Sequence, residues 1–148
     1  MSILNALDVS ASGLTASRVQ LDVTAENLAN AQTTRTAEGG PYQRKTVVLQ
    51  SADGGQGFGT TLASAMGGAA SPARGVQVSA ITPHPAPPRM VYDPGHPDAN
   101  ADGYVAMPAI DSVTEMVDLI AASRGYEANV TAMQSAKQMF TRTLDLLR

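Results

Sequence analysis

The apolar positions of the chain form two long helical patterns, one at each end, around a centre that alternates or loses its pattern. From Asp111 onward, steps of three and four link Met116, Leu119, Ser123, Tyr126, Val130, Met133, Lys137, Phe140, Leu144 and Leu147, a mostly apolar seam of near-heptad period. Val113, Val117 and Ile120 widen the stripe in the first turns. Ser112 followed by Glu115 fits a capping box, and Pro108 keeps the helix from starting earlier. No proline follows Pro108. At ~1.5 Å per residue, the predicted helix is roughly 55 Å long. A helix of that length with one apolar edge needs a partner.

The beginning of the chain supplies one. Leu7, Leu14, Leu21 and Leu28 recur at a strict seven-residue interval, with Leu4, Ala11, Arg18 and Ala25 at the complementary positions. The pattern fades after Asn30, where Ala31-Gln32-Thr33-Thr34 brings in residues that favour leaving a helix. The expected fold is therefore α+β: two long terminal helices pair as an antiparallel coiled-coil hairpin around a small β-rich central insert. The boundaries fall at 1–34 for the first helix, 35–108 for the insert and 109–148 for the last helix.

On periodicity alone, an ordinary intramolecular hairpin and a self-assembly module both fit. Two details favour assembly. Ala11, Arg18 and Ala25 bury little apolar area, so two helices alone are a thin structure. Between Ile3 and Ala31 the only charged residues are Asp8, Arg18, Asp22 and Glu26, and a lone solvated helix carries a more charged outer face. The isolated subunit is expected to have frayed termini that order on assembly.

The centre reads as short strands and turns. Gly39-Gly40-Pro41 is a turn, and Tyr42 to Gln50 is rich in strand formers. Residues 51–75 are a Gly/Ala/Ser-rich loop without the context of a phosphate-binding loop. Gly75 to Ile81, Arg89 to Tyr92 and Gly103 to Met107 follow as strands, with a proline-rich stretch from Thr82 to Pro88. Together they predict one antiparallel sheet of three or four strands.

Composition narrows the function. The chain is 43% hydrophobic but only 4% aromatic, with no Trp, which suits Leu/Val/Ala/Met helix packing better than a compact catalytic core. The net charge of −3 offers nothing to a phosphate backbone, so no nucleic-acid partner is expected. With no cysteine there is no disulfide, catalytic thiolate or Cys-ligated metal. The start of the chain carries no basic segment or continuous apolar run, so no cleaved secretory signal is expected, and no stretch reaches membrane-spanning length.

Candidate chemistry is confined to residues 93–103. Asp98, Asn100, Asp102 and Gly103 open like a calcium-binding loop, but the position that needs a bidentate Glu is Ala109. Asp93, His96 and Asp98 could ligate a divalent metal for hydrolysis, yet Asx residues among Pro and Gly are also what a tight turn requires. A metal-dependent hydrolase using these three, and a cytoplasmic coiled-coil adaptor, stand as the alternatives. No Ser-His-Asp arrangement is supported. Lys137 and Arg18 are expected to lay their stems along the seams with their heads in water. No enzymatic activity, cofactor, metal or small-molecule substrate is expected.

Residues 10–36, SASGLTASRVQLDVTAENLANAQTTRT, resemble the signature of bacterial flagellar basal-body rod and hook proteins, carried here by Ser12-Gly13-Leu14, Leu21-Asp22-Val23 and Asn27-Leu28-Ala29-Asn30. Residues 92–108 and 113–139 are similar to the proximal-rod subunits of the rod protein C family. Departures are confined to the Gly/Ala-rich loop, Ala109 and Gly125.

The resemblance implies a structural subunit of the basal-body rod, exported through the flagellar type III apparatus without a cleaved signal and assembled helically in the periplasm. Its expected partners are other rod proteins, copies of itself and the export apparatus. The expected interface residues are Leu7, Leu14, Leu21, Leu28, Ile120, Val130, Met133, Phe140, Leu144 and Leu147. By resemblance Asn27, Ala29 and Asn30 join the same surface.

Overall fold

The computed structural model describes residues 3–52 and 75–146. Its elements are α1 (Ile3–Ala29), β1 (Lys45–Ser51), β2 (Val76–Pro83), β3 (Arg89–Tyr92), β4 (Tyr104–Met107) and α2 (Ser112–Leu146). Two long helices pack against each other, and β1 and β2 lie against α1. This is the expected α+β hairpin with a β-bearing insert. Residues 53–74 of the Gly/Ala-rich loop, and Leu147, lie outside the described residues.

The helices run antiparallel. Gly13 sits opposite Asn129, whose side chain a Cβ on the glycine would approach to 3.0 Å, and Ser17 sits 3.7 Å from the corresponding point on Gly125. Asn27 reaches Glu115 by a hydrogen bond of 3.2 Å. Each step forward along α1 is thus matched by an equal step back along α2. Glycine at 13 lets the backbones approach closely, since a Cβ there would crowd the Asn129 side chain, whereas at Gly125 it would meet Ser17 at ordinary contact distance.

Helix ends follow local chemistry. Asn30 stops α1: its Nδ2 donates to Glu26 O at 2.9 Å, and Thr33 Oγ1 donates to its Oδ1 at 3.1 Å. The helix therefore ends at Ala29, short of residue 34. At the start of α2 the capping box does not form. Asp111 caps instead, accepting from Val113 N at 3.1 Å and from Thr114 Oγ1 at 2.8 Å. Those bonds, the Thr114 one first, hold the Asp111 carboxyl below its ordinary range.

The strands form two separate two-stranded antiparallel sheets, β1–β2 and β3–β4, and not the single sheet expected. Pro83 ends β2, and prolines at 85, 87 and 88 occupy the link to β3. Lacking N–H groups, they cannot carry a ladder from one ribbon to the next. A register shift between Val48 and Leu49 bends β1 as it lies along α1. Gly103, at φ +79, makes the turn into β4 beneath the Tyr92 ring.

The buried apolar set is small. It consists of Ala16, Val23, Ala31, Tyr42, Val105, Ile110 and Ala136 among the described residues. Ala31, Tyr42 and Ile110 form one cluster where the end of α1 meets the insert and the approach to α2. Most large apolar side chains are elsewhere, half-buried or exposed.

Candidate assembly surfaces

A polar node locks the helices to the insert. Asn27 is 1% exposed and its carboxamide is fully used. Nδ2 donates to Lys45 O at 2.9 Å and to Glu115 Oε2 at 3.2 Å, while Oδ1 accepts from Lys45 N at 2.9 Å and from Tyr42 OH at 3.1 Å. The amide pairs with the β1 edge as a neighbouring strand would. Glu115, equally buried, receives Arg44 Nε on Oε1, and Arg44 Nη2 reaches Asp118 at 3.2 Å. Lys45 Nζ pairs with Glu26 at 2.6 Å and lies 5.8 Å from the Tyr42 ring centre. No buried side-chain polar atom among the described residues lacks a partner. Beside the node, a cleft of about 390 Å³ opens between α1, α2 and β1, lined in part by Gln20, Thr24, Arg44 and Ala122.

Burial raises the Tyr42 hydroxyl above its ordinary value, helped by the Glu26 charge, and the hydrogen bond to Glu26 raises the Lys45 ammonium. Both groups favour their protonated forms in the fold. Their contribution is fully present below the ordinary values near pH 10 and is lost as pH rises through the raised ones. Circular dichroism against pH should show alkaline loosening of the wild type, and Tyr42→Phe should reduce it.

The expected interface residues divide sharply. The α1 side facing α2 is Val9, Gly13, Ala16, Gln20, Val23 and Asn27, all buried or half-buried. Opposing it are Glu115, Leu119, Ala122, Gly125, Asn129, Met133 and Ala136, likewise buried or half-buried. The seam within the chain is thus small and partly polar. Leu14 and Leu21 precede Ala16 and Val23 by two residues, which at 3.6 residues per turn places them about 160° round the helix. Leu7, Leu14, Leu21 and Leu28 are accordingly half-buried, none of them in the core.

Val130 and Met133 are half-buried, whereas Ile120, Phe140 and Leu144 are exposed. Asn30 is half-buried at the helix end and Ala29 exposed beside it. Val113, Met116 and Val117 are also exposed. Sequence reasoning missed Arg44 and Tyr42, whose partners lie far away in the chain. It also took Glu115 for a cap.

The chemistry of residues 93–103 is that of turns. Asp93 Oδ1 accepts from Gly95 N, His96 Nδ1 from Asp98 N, and Asp98 Oδ2 from Thr34 Oγ1. Asn100 Oδ1 accepts from the backbone N–H groups of Asp102 and Tyr104. No group of three metal-ligating side chains is assembled among the described residues. No described helix is long and apolar enough to cross a membrane.

Comparison with known proteins matches both ends of the chain. Residues 7–35 match the family described as flagella basal body rod protein, and residues 101–146 match the flagellar basal body rod FlgEFG protein C-terminal family. A Bacillus subtilis protein named flagellar basal-body rod protein FlgC is 48% identical, over 99% of this chain and 99% of its own length. Proteins of the same name from Yersinia enterocolitica and Borreliella burgdorferi are 42% and 37% identical, over 99% and 100% of this chain and 98% and 99% of their own lengths.

Proposed function

This chain belongs to the flagellar basal-body rod protein family and is a structural component of the basal body, and on that premise we propose that it is a proximal-rod subunit that assembles helically through its terminal helices and transmits motor torque to the distal rod and hook. Its partners are other rod and basal-body proteins. We assign it also to copies of itself, to export unfolded through the flagellar type III apparatus without signal cleavage, and to the periplasmic part of the rod. The proposed interface is the leucine stripe of Leu7, Leu14, Leu21 and Leu28, with Ile120, Val130, Met133, Phe140, Leu144 and Leu147. Asn27, Ala29 and Asn30 shape the end of the first helix. The chemistry of the role is packing alone, with no catalytic step.

The observation that carries this role is the imbalance between the buried and the exposed apolar side chains. The hairpin closes on a small, partly polar seam that includes Gly13, Ala16, Ser17, Gly125 and Ala136, and leaves large apolar residues half-buried or exposed along both helices. Stiffness under torque is supplied when such faces meet neighbours over many contacts at once. Neither the metal-dependent hydrolase nor the cytoplasmic adaptor is supported by the relatives or by the turn chemistry of residues 93–103.

Deleting the gene should leave cells non-motile, with rodless basal bodies in electron micrographs, and restoring the chain should restore both. Complete rods in the deletion strain would overturn the role.

A further inference from the structure

We propose that the β1–β2 ribbon is a splint for α1, pinned to it at two points one ribbon length apart, with Ser12 as the positioning residue of the outer pin. Its use, stiffness in a shaft under torque, rests on the structural-subunit role above. The inner pin is the Asn27 carboxamide on the backbone of Lys45, the first residue of β1. The outer pin lies at the opposite end of the ribbon, where Ser51 pairs with Val76. There the Ser12 hydroxyl accepts from Val76 N at 3.0 Å and donates to Val9 O at 2.7 Å. One hydroxyl thus ties the start of β2 to a carbonyl of α1. Just beyond it, Ala52 N donates to Gly75 O at 2.7 Å and closes the ribbon.

Close approach at this pin requires glycine. A Cβ on Gly75 would stand 2.2 Å from Ser12 Oγ and 2.8 Å from Ser12 Cβ, so any larger residue pushes the ribbon off the serine. The two pins also match in spacing. From Ser12 to Asn27 α1 rises about 22 Å. From Lys45 to Ser51 β1 rises about 20 Å. Ribbon and helix therefore lie alongside over the same length and are joined at both ends.

Between the pins the two members stand apart. The cleft of about 390 Å³ opens there, lined by Ser17, Gln20 and Thr24 of α1 and by Thr46 and Val47 of β1. Support for the middle of α1 on this side comes from the joined ends, as in a truss. Bending α1 changes the distance between Ser12 and Asn27, which the hydrogen-bonded ribbon holds constant. The seam with α2 is small and partly polar, so the ribbon gives α1 a second line of support.

Hydrogen exchange of the backbone amides in the full chain tests the splint. Ser12→Ala removes the hydroxyl while favouring the helix, since alanine outranks serine in helical propensity. Gly75→Ala forces the same contact apart from the ribbon side and leaves the sequence of α1 unaltered. In both variants the Val76 amide should exchange about five- to tenfold faster, the loss of one hydrogen bond of ordinary strength. The decisive amides are those of residues 16–24, between the pins, which should also exchange severalfold faster. Faster exchange at Val76 with residues 16–24 unmoved would overturn the splint and reduce Ser12 to a local clasp. Slower exchange at residues 16–24 in Ser12→Ala, as propensity alone would produce, would overturn it too. So would an unchanged Val76 amide in both variants. Absence of the wild-type chain from isolated basal bodies would remove the structural role while the exchange result stood, so the two readings fail separately.

Discussion

Arg44→Met should destabilise the folded chain by about 3 kcal/mol, read from chemical denaturation by circular dichroism. Glu115 is held between Arg44 and Asn27, and its side chain is 2% exposed. Methionine keeps the length of the arginine stem and removes the charge, leaving a carboxylate in the interior with one amide donor. Removing one partner of a buried pair typically costs about 3–5 kcal/mol, because the remaining charge stays desolvated. Arg44 itself is 29% exposed and water can enter from its side, which sets the expectation at the lower end of that range. Asn27→Leu should be comparable. It strands the Tyr42 hydroxyl and both backbone groups of Lys45, each at about 1–3 kcal/mol if nothing replaces the bond. The double variant Arg44→Met with Glu115→Leu should recover most of the loss, since replacing both partners removes the unpaired charge. Equal instability in the single and double variants would mean that Arg44 acts by packing and not by charge.

The same node shows where sequence reasoning stops. The two helices, their antiparallel pairing and the strand-bearing insert were legible because periodicity and turn residues are local signals. Strands β3 and β4 were placed within a residue or so for the same reason. The node was not legible. Glu115 sits three residues after Ser112, a spacing that locally reads as a capping box, but the distant Arg44 offers a full charge where the helix end offers partial ones. Asp111 then takes the cap. Asn27 stood out only through its resemblance to a family signature; its part in joining α1 to β1 depends on a fold-back that no local pattern announces. The separation into two ribbons had a visible cause in the prolines, which were read as extended chain without asking what a missing N–H does to a ladder.

The helical seam was the more instructive error. Heptad reasoning gives weight to large residues, so the leucines were assigned to the contact between the two helices. The structure puts Gly13, Ala16, Ser17, Gly125 and Ala136 there, because small residues allow the backbones to close up. The expectation of a thin two-helix structure survives with a different mechanism. Weakness in the pair comes from how little apolar area small residues bury, and the larger residues stay half-buried or exposed along both helices.

Two substitutions only two residues apart on α1, but on opposite faces of the helix, should therefore have opposite consequences. Ala16→Leu places a large side chain in the seam, where Ala16 is 4% exposed and the helices approach through glycine. Overpacking of this kind costs about 1–3 kcal/mol and should appear in the isolated chain as a lowered denaturation midpoint. Leu14→Asp lies off the seam at a half-buried position, so the isolated chain should keep its helical signal and lose about 1 kcal/mol. In the cell the order reverses. A carboxylate buried without a partner at a contact between subunits costs several kcal/mol, repeated at every subunit, so Leu14→Asp should abolish rod assembly and motility. Leu21→Asp should behave alike, because Leu21 occupies the same stripe one heptad on. Ala16→Leu, by contrast, leaves the outer stripe intact and should be at least partly motile wherever enough folded chain remains. Full motility with Leu14→Asp, or an isolated chain unfolded by it, would return the leucines to the interior of the hairpin and remove them from the assembly surface.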